Sequence, residues 1–326
     1  METRPPVFAD VVDAARRLRG RAVVTPLLRS DALDRQVGGR LLIKAEALQR
    51  AGSFKFRGAF NRISRLDTAA RARGVVAWSS GNHAQGVAAA AGLLGAPALI
   101  VMPTDAPASK IAGTRALGAE IVPYDRYSES REDIGARIAA ERNATIVRPY
   151  DDPHVIAGQG TVGLEAAAQA MALGIAPDAA LVPCGGGGLI AGTALALRHQ
   201  FPAIAVHSVE PEGFDDTARS LEAGQQVTND PAARSICDAL LAPTPGDITF
   251  PMNKAQLSPG LVVSDAEALA AMAAAFRHLK VVAEPGGATA LAAALTGRFD
   301  CRDRCVLVVI SGGNVDPETF RQALDG

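Results

Sequence analysis

The sequence is poor in cysteine and in aromatic residues. Aromatic residues make up 4% of its 326 positions, and there is one tryptophan. The four cysteines, which are too few and too unevenly spaced for a disulfide framework, are Cys184, Cys237, Cys301 and Cys305. Cys301 and Cys305 form one close pair without a neighbouring histidine, which argues against a metal site there. These absences favour a reduced, cytoplasmic protein.

Excess charge and long apolar runs are absent as well. The 33 basic and 34 acidic residues give a formal net charge of −1, so no global field attracts nucleic acid or an anionic membrane surface. The N-terminus has no apolar signal core, and no apolar run reaches the roughly 18 residues that a membrane helix needs. We therefore expect a soluble, cytoplasmic protein whose partners are small molecules, with no nucleic acid and no membrane.

Short aliphatic runs alternate with helical patterns from residue 74 onward. The alternation is typical of βαβ units and predicts parallel sheets covered by helices. The predicted strands are 75–80, 98–102, 120–124, 145–150, 180–184, 204–210 and 305–311. The predicted helices lie near 84–95, 107–117, 129–141, 160–173, from 189, and 265–280 with Ser264 as the N-cap. We expect two α/β layers with a cleft between them, where ligands bind at the carboxyl ends of strands.

Three glycine-containing turns follow predicted strands. The first, SSGNHAQG at 79–86, opens an alanine-rich helix, and its side chains and backbone amides suit a carboxylate or a phosphate. An ordinary capped βα turn is the alternative there. The second, CGGGGLIAG at 184–192, has four consecutive glycines, which let backbone N–H groups approach a phosphate closely. The third, SGGN at 311–314, is also typical of ordinary loops. The sequence therefore predicts anion binding, most strongly at the second turn.

The glycine run alone leaves two kinds of cofactor open. Gly186, Gly188 and Ala191 fit the G-x-G-x-x-A form of the dinucleotide fingerprint. Glu210 ends the next strand near the spacing of a ribose ligand. Lys55 favours the other cofactor, because a lysine embedded in the apolar GSFKFRGA stretch, with a lowered pKa, suits Schiff-base chemistry. Together with a phosphate loop, this lysine indicates pyridoxal phosphate and leaves an NAD oxidoreductase as the weaker alternative.

These motifs together resemble those of the fold-type II pyridoxal-phosphate enzymes, in the branch of threonine/serine ammonia-lyases (dehydratases) and serine racemases. The matching stretches, in order, are EALQRAGSFKFRGA, SSGNHAQG, IAGQGT, GGGG, EPGGA and SGGN. The resemblance runs from about residue 25 to the C-terminus. It implies a tryptophan synthase β-like fold, in which two open parallel-sheet α/β domains hold the cofactor in the cleft between them. The large domain would comprise 1–73 and 150–326, and the small mobile domain 74–149.

The resemblance also implies roles toward the cofactor. Lys55 would hold the cofactor through a Schiff base and would remove the Cα proton of the substrate. Asn82 would contact the phenolic oxygen of the cofactor, and Phe54 would pack on one face of its ring. Ser311 would bond to the pyridine nitrogen as a neutral partner. The phosphate would be held by Gly185, Gly186, Gly187 and Gly188.

Further roles implied by the resemblance concern the substrate. Ser79, Asn82 and His83 would bind the substrate carboxylate with help from the helix N-terminus. Ser80 matches the second, opposite-face acid/base of serine racemases, although a serine there is also a common helix cap. Arg131 matches an arginine of the small domain that could meet an anionic group on closure. The alternative for Arg131 is a solvated charge on a helix.

The resemblance extends to a metal site and departs at one stretch. Glu210 and Asp216, with the main-chain carbonyl of Phe214 between them, would bind Mg²⁺, or alternatively Ca²⁺ or Mn²⁺. The alternative is that Glu210 caps a strand and Asp216 starts a helix. At 235–239 the sequence SICDA replaces an Ala-Asp-Gly-like stretch, which reshapes a wall beside the substrate.

We therefore expect an ammonia-lyase that converts a β-hydroxy amino acid to a 2-oxo acid and ammonia. L-Threonine and L-serine are the leading substrates, and L-threo-3-hydroxyaspartate is the rival. Racemisation of serine or aspartate through Lys55 and Ser80 stays open as a second activity. A β-replacement synthase is the alternative from another reaction class, disfavoured by the acidic pair and by the GSFKFRGA context. The resemblance also implies a homodimer.

Overall fold

The computed structural model describes residues 4–106, 108–125 and 127–326. Its strands form two separate sheets. In chain order they are β1 (Leu27–Leu28), β2 (Arg40–Ala45), β3 (Val75–Trp78), β4 (Ala98–Pro103), β5 (Glu120–Tyr124), β6 (Thr145–Ile146), β7 (Ala179–Pro183), β8 (Ala205–Pro211), β9 (Leu261–Val263) and β10 (Cys305–Ile310). The strands predicted after residue 74 are all present. The predicted strand 145–150 is shorter, since it ends at Ile146 and the chain bends at residues 149 and 150.

The two sheets are almost entirely parallel. The larger has the order β1-β2-β10-β7-β8-β9, and within it β1 pairs with β2 in the antiparallel sense. The smaller has the order β5-β4-β3-β6 and is parallel throughout. This arrangement confirms the prediction of a two-layered α/β protein with parallel sheets. The division into domains 1–73 plus 150–326 and 74–149 stays a prediction.

Helices cover both sheets in the part of the chain that the structure describes. In chain order they are α1 (Phe8–Leu18), α2 (Asp31–Val37), α3 (Lys55–Ile63), α4 (Thr68–Arg73), α5 (Asn82–Leu94), α6 (Ala108–Ala116), α7 (Arg131–Arg142), α8 (Pro153–Ala172), α9 (Gly188–Gln200), α10 (Asp216–Ala223), α11 (Thr249–Gln256), α12 (Asp265–Ala274), α13 (Pro285–Leu295) and α14 (Pro317–Asp325). The predicted helix 107–117 corresponds to α6, and residue 107 lies outside the described residues. None of the described helices combines the length and apolarity needed to cross a membrane.

Local sequence explains two of the helix starts. Ser264 caps α12 and forms a capping box with Glu267, which confirms the predicted N-cap. α8 begins at Pro153, seven residues before the predicted start, because the Asp152 side chain caps the helix and proline is favoured in its first turn. The glycines of IAGQGT lie inside this helix. One of them, Gly160, allows close contact with α9, since a Cβ there would lie 2.8 Å from the Gly192 carbonyl oxygen.

Helix α3, whose first residue is Lys55, is buried between the two layers. Phe56, Phe60 and Ile63 are at most 3% exposed, and they share a core cluster with Val87 of α5 and Val155 of α8. Burial of such side chains contributes about 1.5–3 kcal/mol each. The packing therefore holds the backbone that carries Lys55 rigidly between the sheets.

Candidate active site

The carboxyl ends of three strands open into one cavity. β3, β7 and β10 are each followed by a glycine-containing turn, and residues of all three turns line the same space. The cavity is lined by every residue predicted to hold the cofactor or the substrate: Phe54, Lys55, Ser79, Ser80, Asn82, His83, Arg131, Gly185, Gly186, Gly187, Gly188 and Ser311. Among the described residues, the predicted metal ligands do not line this cavity. They are Glu210, Phe214 and Asp216.

Lys55 reaches this cavity from a well-fixed backbone. The Phe54 N–H donates to the Ser311 carbonyl at 3.1 Å, which ties the start of α3 to the end of β10. The Lys55 amine donates to the Pro149 carbonyl at 2.9 Å. Burial lowers the pKa of Lys55 to about 8, although the Glu284 carboxylate acts in the opposite direction. A lysine that loses its proton this readily can act as a nucleophile and as a base.

The glycine turn 185–188 approaches its neighbours too closely to carry side chains. A Cβ on Gly186 would lie 2.4 Å from the ring of Tyr150. A Cβ on Gly187, where φ is +87°, would lie 2.6 Å from Asn253 Nδ2. The turn leads directly into α9, and the first N–H groups of a helix have no intrahelical partners. This cradle of accessible backbone N–H groups fits a phosphate.

Two residues of α11 support the glycine turn from behind. Thr249 Oγ1 donates to the Gly186 carbonyl at 2.7 Å and accepts the Gly246 N–H at 3.0 Å. Asn253 is fully buried beside Gly187. Sequence reasoning missed both residues, and Tyr150 as well, because only the folded chain brings them to the turn and no local motif marks them.

Asn82 is held in one orientation by two neighbours. Its amide nitrogen donates to Glu284 Oε1 at 2.5 Å, and its oxygen accepts from Asn314 Nδ2 at 2.7 Å. Burial and the negative charge of Asp238 raise the pKa of Glu284 to about 8. The second N–H of the Asn82 amide stays available for another acceptor. Glu284 and Asn314 stand in the EPGGA and SGGN motifs, which signal their importance but not their role.

The turn before α5 brings Ser79, Ser80 and His83 to the cavity. His83 Nε2 donates to the Val147 carbonyl at 2.8 Å. Burial and the charge of Lys55 lower the pKa of His83 to about 3, so the imidazole is neutral and its Nδ1 is an acceptor. An ionised carboxylate only accepts hydrogen bonds, so it forms none with the acceptor Nδ1. His83 can therefore offer a substrate carboxylate its backbone N–H, near the start of α5, but not its side chain.

Two further cations line the cavity. Arg131, the first residue of α7, has a side chain that is 45% exposed, and it donates to Glu132 Oε1 at 2.8 Å. Lys110, on α6, forms an ion pair with the carboxylate of Asp238. Sequence reasoning identified Arg131 and missed Lys110, because α6 carries no recognisable motif.

Glu210 and Asp216, the two predicted carboxylate ligands of the metal, both form hydrogen bonds at the start of α10, and one oxygen of Asp216 has no partner among the described residues. The Glu210 carboxylate accepts the N–H groups of Thr217 and Ala218 at 2.9 and 2.8 Å, so it caps α10. Asp216 is the first residue of α10, and its Oδ1 accepts from Asn229 at 2.6 Å. Its Oδ2 is buried and has no hydrogen-bond partner within the described chain. Of the two structural alternatives, the one for Asp216 is seen, since it starts a helix. Glu210 lies within β8 and caps the helix α10 rather than a strand.

Burial disfavours the charged forms of both carboxyl groups of this acidic pair. Burial, followed by the nearby Asp216 charge, raises the pKa of Glu210, and burial raises that of Asp216 to about 6. Over the described residues there is no cluster of three or more His, Cys, Asp or Glu side chains that could hold a metal. Two carboxylates, a main-chain carbonyl such as that of Phe214, and waters are the kind of oxygen ligands that a hard cation takes.

A buried ionic network fixes the segment around Lys55. Arg57 is fully buried and makes paired hydrogen bonds of 2.7–2.8 Å to Glu46 and to Glu165. Lys44 of β2, also fully buried, donates to Glu165 at 2.8 Å. The network joins β2, α3 and α8 two residues beyond Lys55. Glu46 and Arg57 belong to a quoted sequence motif, but their role as a buried clamp depends on the fold.

This fold and this cavity together define a pyridoxal-phosphate enzyme of fold-type II. The family model for pyridoxal-phosphate dependent enzymes matches residues 19–312, and the chain belongs to this family. It is similar to L-threo-3-hydroxyaspartate ammonia-lyase from Pseudomonas sp, with 46% identity over 319 residues and 98% of each chain covered. The recognition made from the sequence motifs is thus confirmed, and the family favours pyridoxal phosphate over NAD.

Solved structures agree with this assignment. Maize serine racemase superposes with a TM-score of 0.92 at 39% identity, covering 98% of this chain and 97% of that one. The threonine deaminase of T.th. superposes with a TM-score of 0.89 at 44% identity, covering 95% and 99% of the two chains. These likenesses confirm the predicted fold class.

Proposed function

We propose that the protein is a pyridoxal-phosphate-dependent ammonia-lyase that converts a β-hydroxy amino acid to a 2-oxo acid and ammonia. The observation that carries the proposal is the convergence, in one cavity, of the Lys55 amine, the glycine turn 185–188 and the N-terminus of α5. Relatives named as ammonia-lyase and threonine deaminase support it. In the overall reaction the β-hydroxyl leaves as water, and a second water replaces the nitrogen at Cα, so threonine would yield 2-oxobutanoate and ammonia.

The residues of the cavity divide the chemical work. When bound, pyridoxal phosphate supplies an electron-withdrawing ring that stabilises negative charge at the substrate Cα. Lys55 holds the cofactor at rest, and its freed amine takes the Cα proton at Nζ. The N-terminus of α5, with Ser79 and Asn82, holds the substrate carboxylate. Ser311, which lines the cavity, would offer the pyridine nitrogen a neutral partner, and such a partner would moderate the electron withdrawal and suit expulsion of a β-substituent.

We propose a leading pair of substrates and one further candidate. L-Threonine and L-serine remain the leading substrates of this chemistry. Arg131 and Lys110 at the cavity wall favour L-threo-3-hydroxyaspartate as a second candidate, and the Pseudomonas relative named for that substrate supports it. Ser80 lines the cavity, so racemisation of serine or aspartate through Lys55 and Ser80 also stays a proposal.

The proposed reaction predicts equal release of 2-oxo acid and ammonia from at least one of L-threonine, L-serine and L-threo-3-hydroxyaspartate. The three substrates are assayed side by side, with and without Mg²⁺. L-Alanine and L-aspartate, which lack the β-hydroxyl, serve as controls and should release neither product. Absence of 2-oxo acid from all three substrates would refute the lyase. Product formation that depends on added sulfide would instead favour a β-replacement synthase.

We further propose that Glu210, Asp216 and the Phe214 carbonyl bind Mg²⁺, with Ca²⁺ or Mn²⁺ as alternatives. The buried, unpartnered Asp216 Oδ2 supports this proposal, because a buried charged oxygen without a partner is costly. A cation there would compensate both carboxylates. It would also fix the start of α10, where the Glu210 side chain is already bonded.

Removal of a metal from this site is expected to lower the melting temperature and the turnover, and Mg²⁺ or Ca²⁺ should restore both. A ligand present at a hundred times its dissociation constant stabilises by about 2.7 kcal/mol. The Asp216→Asn variant should no longer respond to chelator, whereas the neighbouring Asp215→Asn variant should respond like the wild type. Thermal unfolding with and without chelator measures the effect. A wild-type protein that is indifferent to chelator would contradict the metal site.

The oligomeric state, the location and the domain division are proposed together. We propose a homodimer that acts in the cytoplasm, with 74–149 moving as a small domain against 1–73 and 150–326. Strands β3 to β6 all lie within 74–149, which supports the division. Static light scattering of the purified protein tests the dimer.

A further inference from the structure

Lys110 and Asp238 reach each other across the cavity from different parts of the fold. Lys110 lies on α6, which follows β4 of the smaller sheet, whereas Asp238 begins a short 3₁₀ helix, Asp238–Leu240, between β8 and β9 of the larger sheet. The two residues are 128 positions apart in sequence, and both line the cavity that contains Lys55. The ion pair therefore joins the two sides of the space in which the substrate would react.

The two partners differ in their access to water. The Lys110 side chain is 13% exposed, whereas that of Asp238 is 46% exposed. Burial opposes the charge of Lys110, but the Asp238 carboxylate outweighs it and raises the pKa of the amine. Asp238 can recover hydration if it moves away. Lys110 has less access to water, so it needs a negative partner more strongly.

Arg131 offers a weaker position for reading a carboxylate. Its side chain is 45% exposed, and its Nε already donates to the adjacent Glu132. An ion pair in such an exposed setting contributes little, because water screens it. Lys110 is more buried, and the fold itself already brings a carboxylate to its amine.

From this geometry we infer that Lys110 is a specificity-determining residue that binds the second carboxylate of a dicarboxylic substrate. Asp238 occupies Lys110 until that carboxylate displaces it. A substrate with a neutral β-substituent leaves the Lys110–Asp238 pair intact, whereas a substrate with a carboxylate on its β-carbon exchanges one carboxylate partner for another. The inference rests on the proposed function, since it assigns the substrate class of the same cavity.

The inference is tested by binding to the holoenzyme, using isothermal titration calorimetry with L-aspartate and L-alanine. These amino acids differ by the second carboxylate, and neither has a β-hydroxyl to lose. The Lys110→Met variant should weaken aspartate binding by about 10- to 100-fold, as expected for loss of a charge-assisted hydrogen bond, and should change alanine binding by less than about threefold. The Asp238→Asn variant should strengthen aspartate binding, because the competing carboxylate is gone.

Two further variants make the test decisive. Lys110→Arg keeps the charge and should keep the preference for aspartate, which provides a readout if Lys110→Met does not fold. Arg131→Met should change the preference less than Lys110→Met does. Equal weakening of both amino acids by Lys110→Met, no effect on either, or weaker aspartate binding by Asp238→Asn would overturn the inference. Because neither ligand undergoes elimination, this result is independent of whether the lyase reaction itself is found.

Discussion

Replacement of Lys55 by alanine is expected to abolish turnover, by at least about a thousandfold, while the protein stays folded. The variant loses both the covalent hold on the cofactor and the base for the Cα proton, and general acid–base catalysis alone contributes about 10²- to 10⁴-fold. It should also lose the visible absorbance that arises when the cofactor is joined to a lysine. The burial that lowers the pKa of Lys55 makes its charge unfavourable, so its removal should not lower the melting temperature of the cofactor-free protein.

The matched control is Lys254→Ala, at an exposed lysine that donates to the Gly224 carbonyl outside the cavity. This variant should keep both the absorbance and the turnover. Steady-state assays, absorbance spectra and thermal unfolding of the two variants and the wild type give a complete comparison. Turnover retained by Lys55→Ala would show that another residue removes the proton, and the assignment of the site would then be wrong.

Replacement of Arg57 by methionine is expected to cause the largest loss of stability, about 3–5 kcal/mol, because removing one partner of a buried ion pair leaves its charges uncompensated. Arg57 is bonded to both Glu46 and Glu165, and Glu46 is fully buried. The Arg57→Met variant would leave the Glu46 carboxylate facing an apolar side chain. The loss should appear as a lower midpoint of urea unfolding.

The control for this variant is Arg142→Met, which removes a doubly bonded but exposed ion pair with Glu120. Such surface pairs contribute about 0–1 kcal/mol, so the midpoint should hardly move. Equal shifts for the two variants would show that the Arg57 network is no more important to stability than a surface pair. A large shift only for Arg57→Met would support the view that this network positions the segment bearing Lys55.

The parallel strands could be predicted from the sequence where an uninterrupted run of apolar side chains marks them. Runs such as 98–102 and 305–311 are apolar apart from the final Ser311, and the structure has strands there. β2 was not predicted, because Lys44 interrupts its apolar run. That charge is tolerated because distant groups accept its hydrogen bonds, among them the carboxylate of Glu165, 121 residues later, and the side chain of Gln169. A pairing across such a distance leaves no trace in the local pattern.

The site residues that the sequence predicted lie in contiguous motifs, and the residues that it did not predict are brought to the site only by folding. Lys55 and the glycine turn 185–188 stand in contiguous motifs, because one segment supplies the nucleophile and another the phosphate cradle. Tyr150 and Thr249 support that cradle from other segments, and the ion pair of Lys110 with Asp238 exists only in the folded chain. Motifs thus indicate the chemistry, and tertiary contacts determine how the groups are held and which substrate fits.

The position of Trp78 allows the intrinsic fluorescence of the wild-type protein to report on the cavity. It is the one tryptophan of the sequence, it ends β3, and it lines the cavity. Helix α7 packs closely on its ring, since a Cβ on Gly135 would lie 2.6 Å from Trp78 Cε3. Intrinsic tryptophan emission therefore arises from a single indole at the cavity wall. Stopped-flow fluorescence of unlabelled protein can follow both cofactor uptake and any displacement of the helix that begins with Arg131.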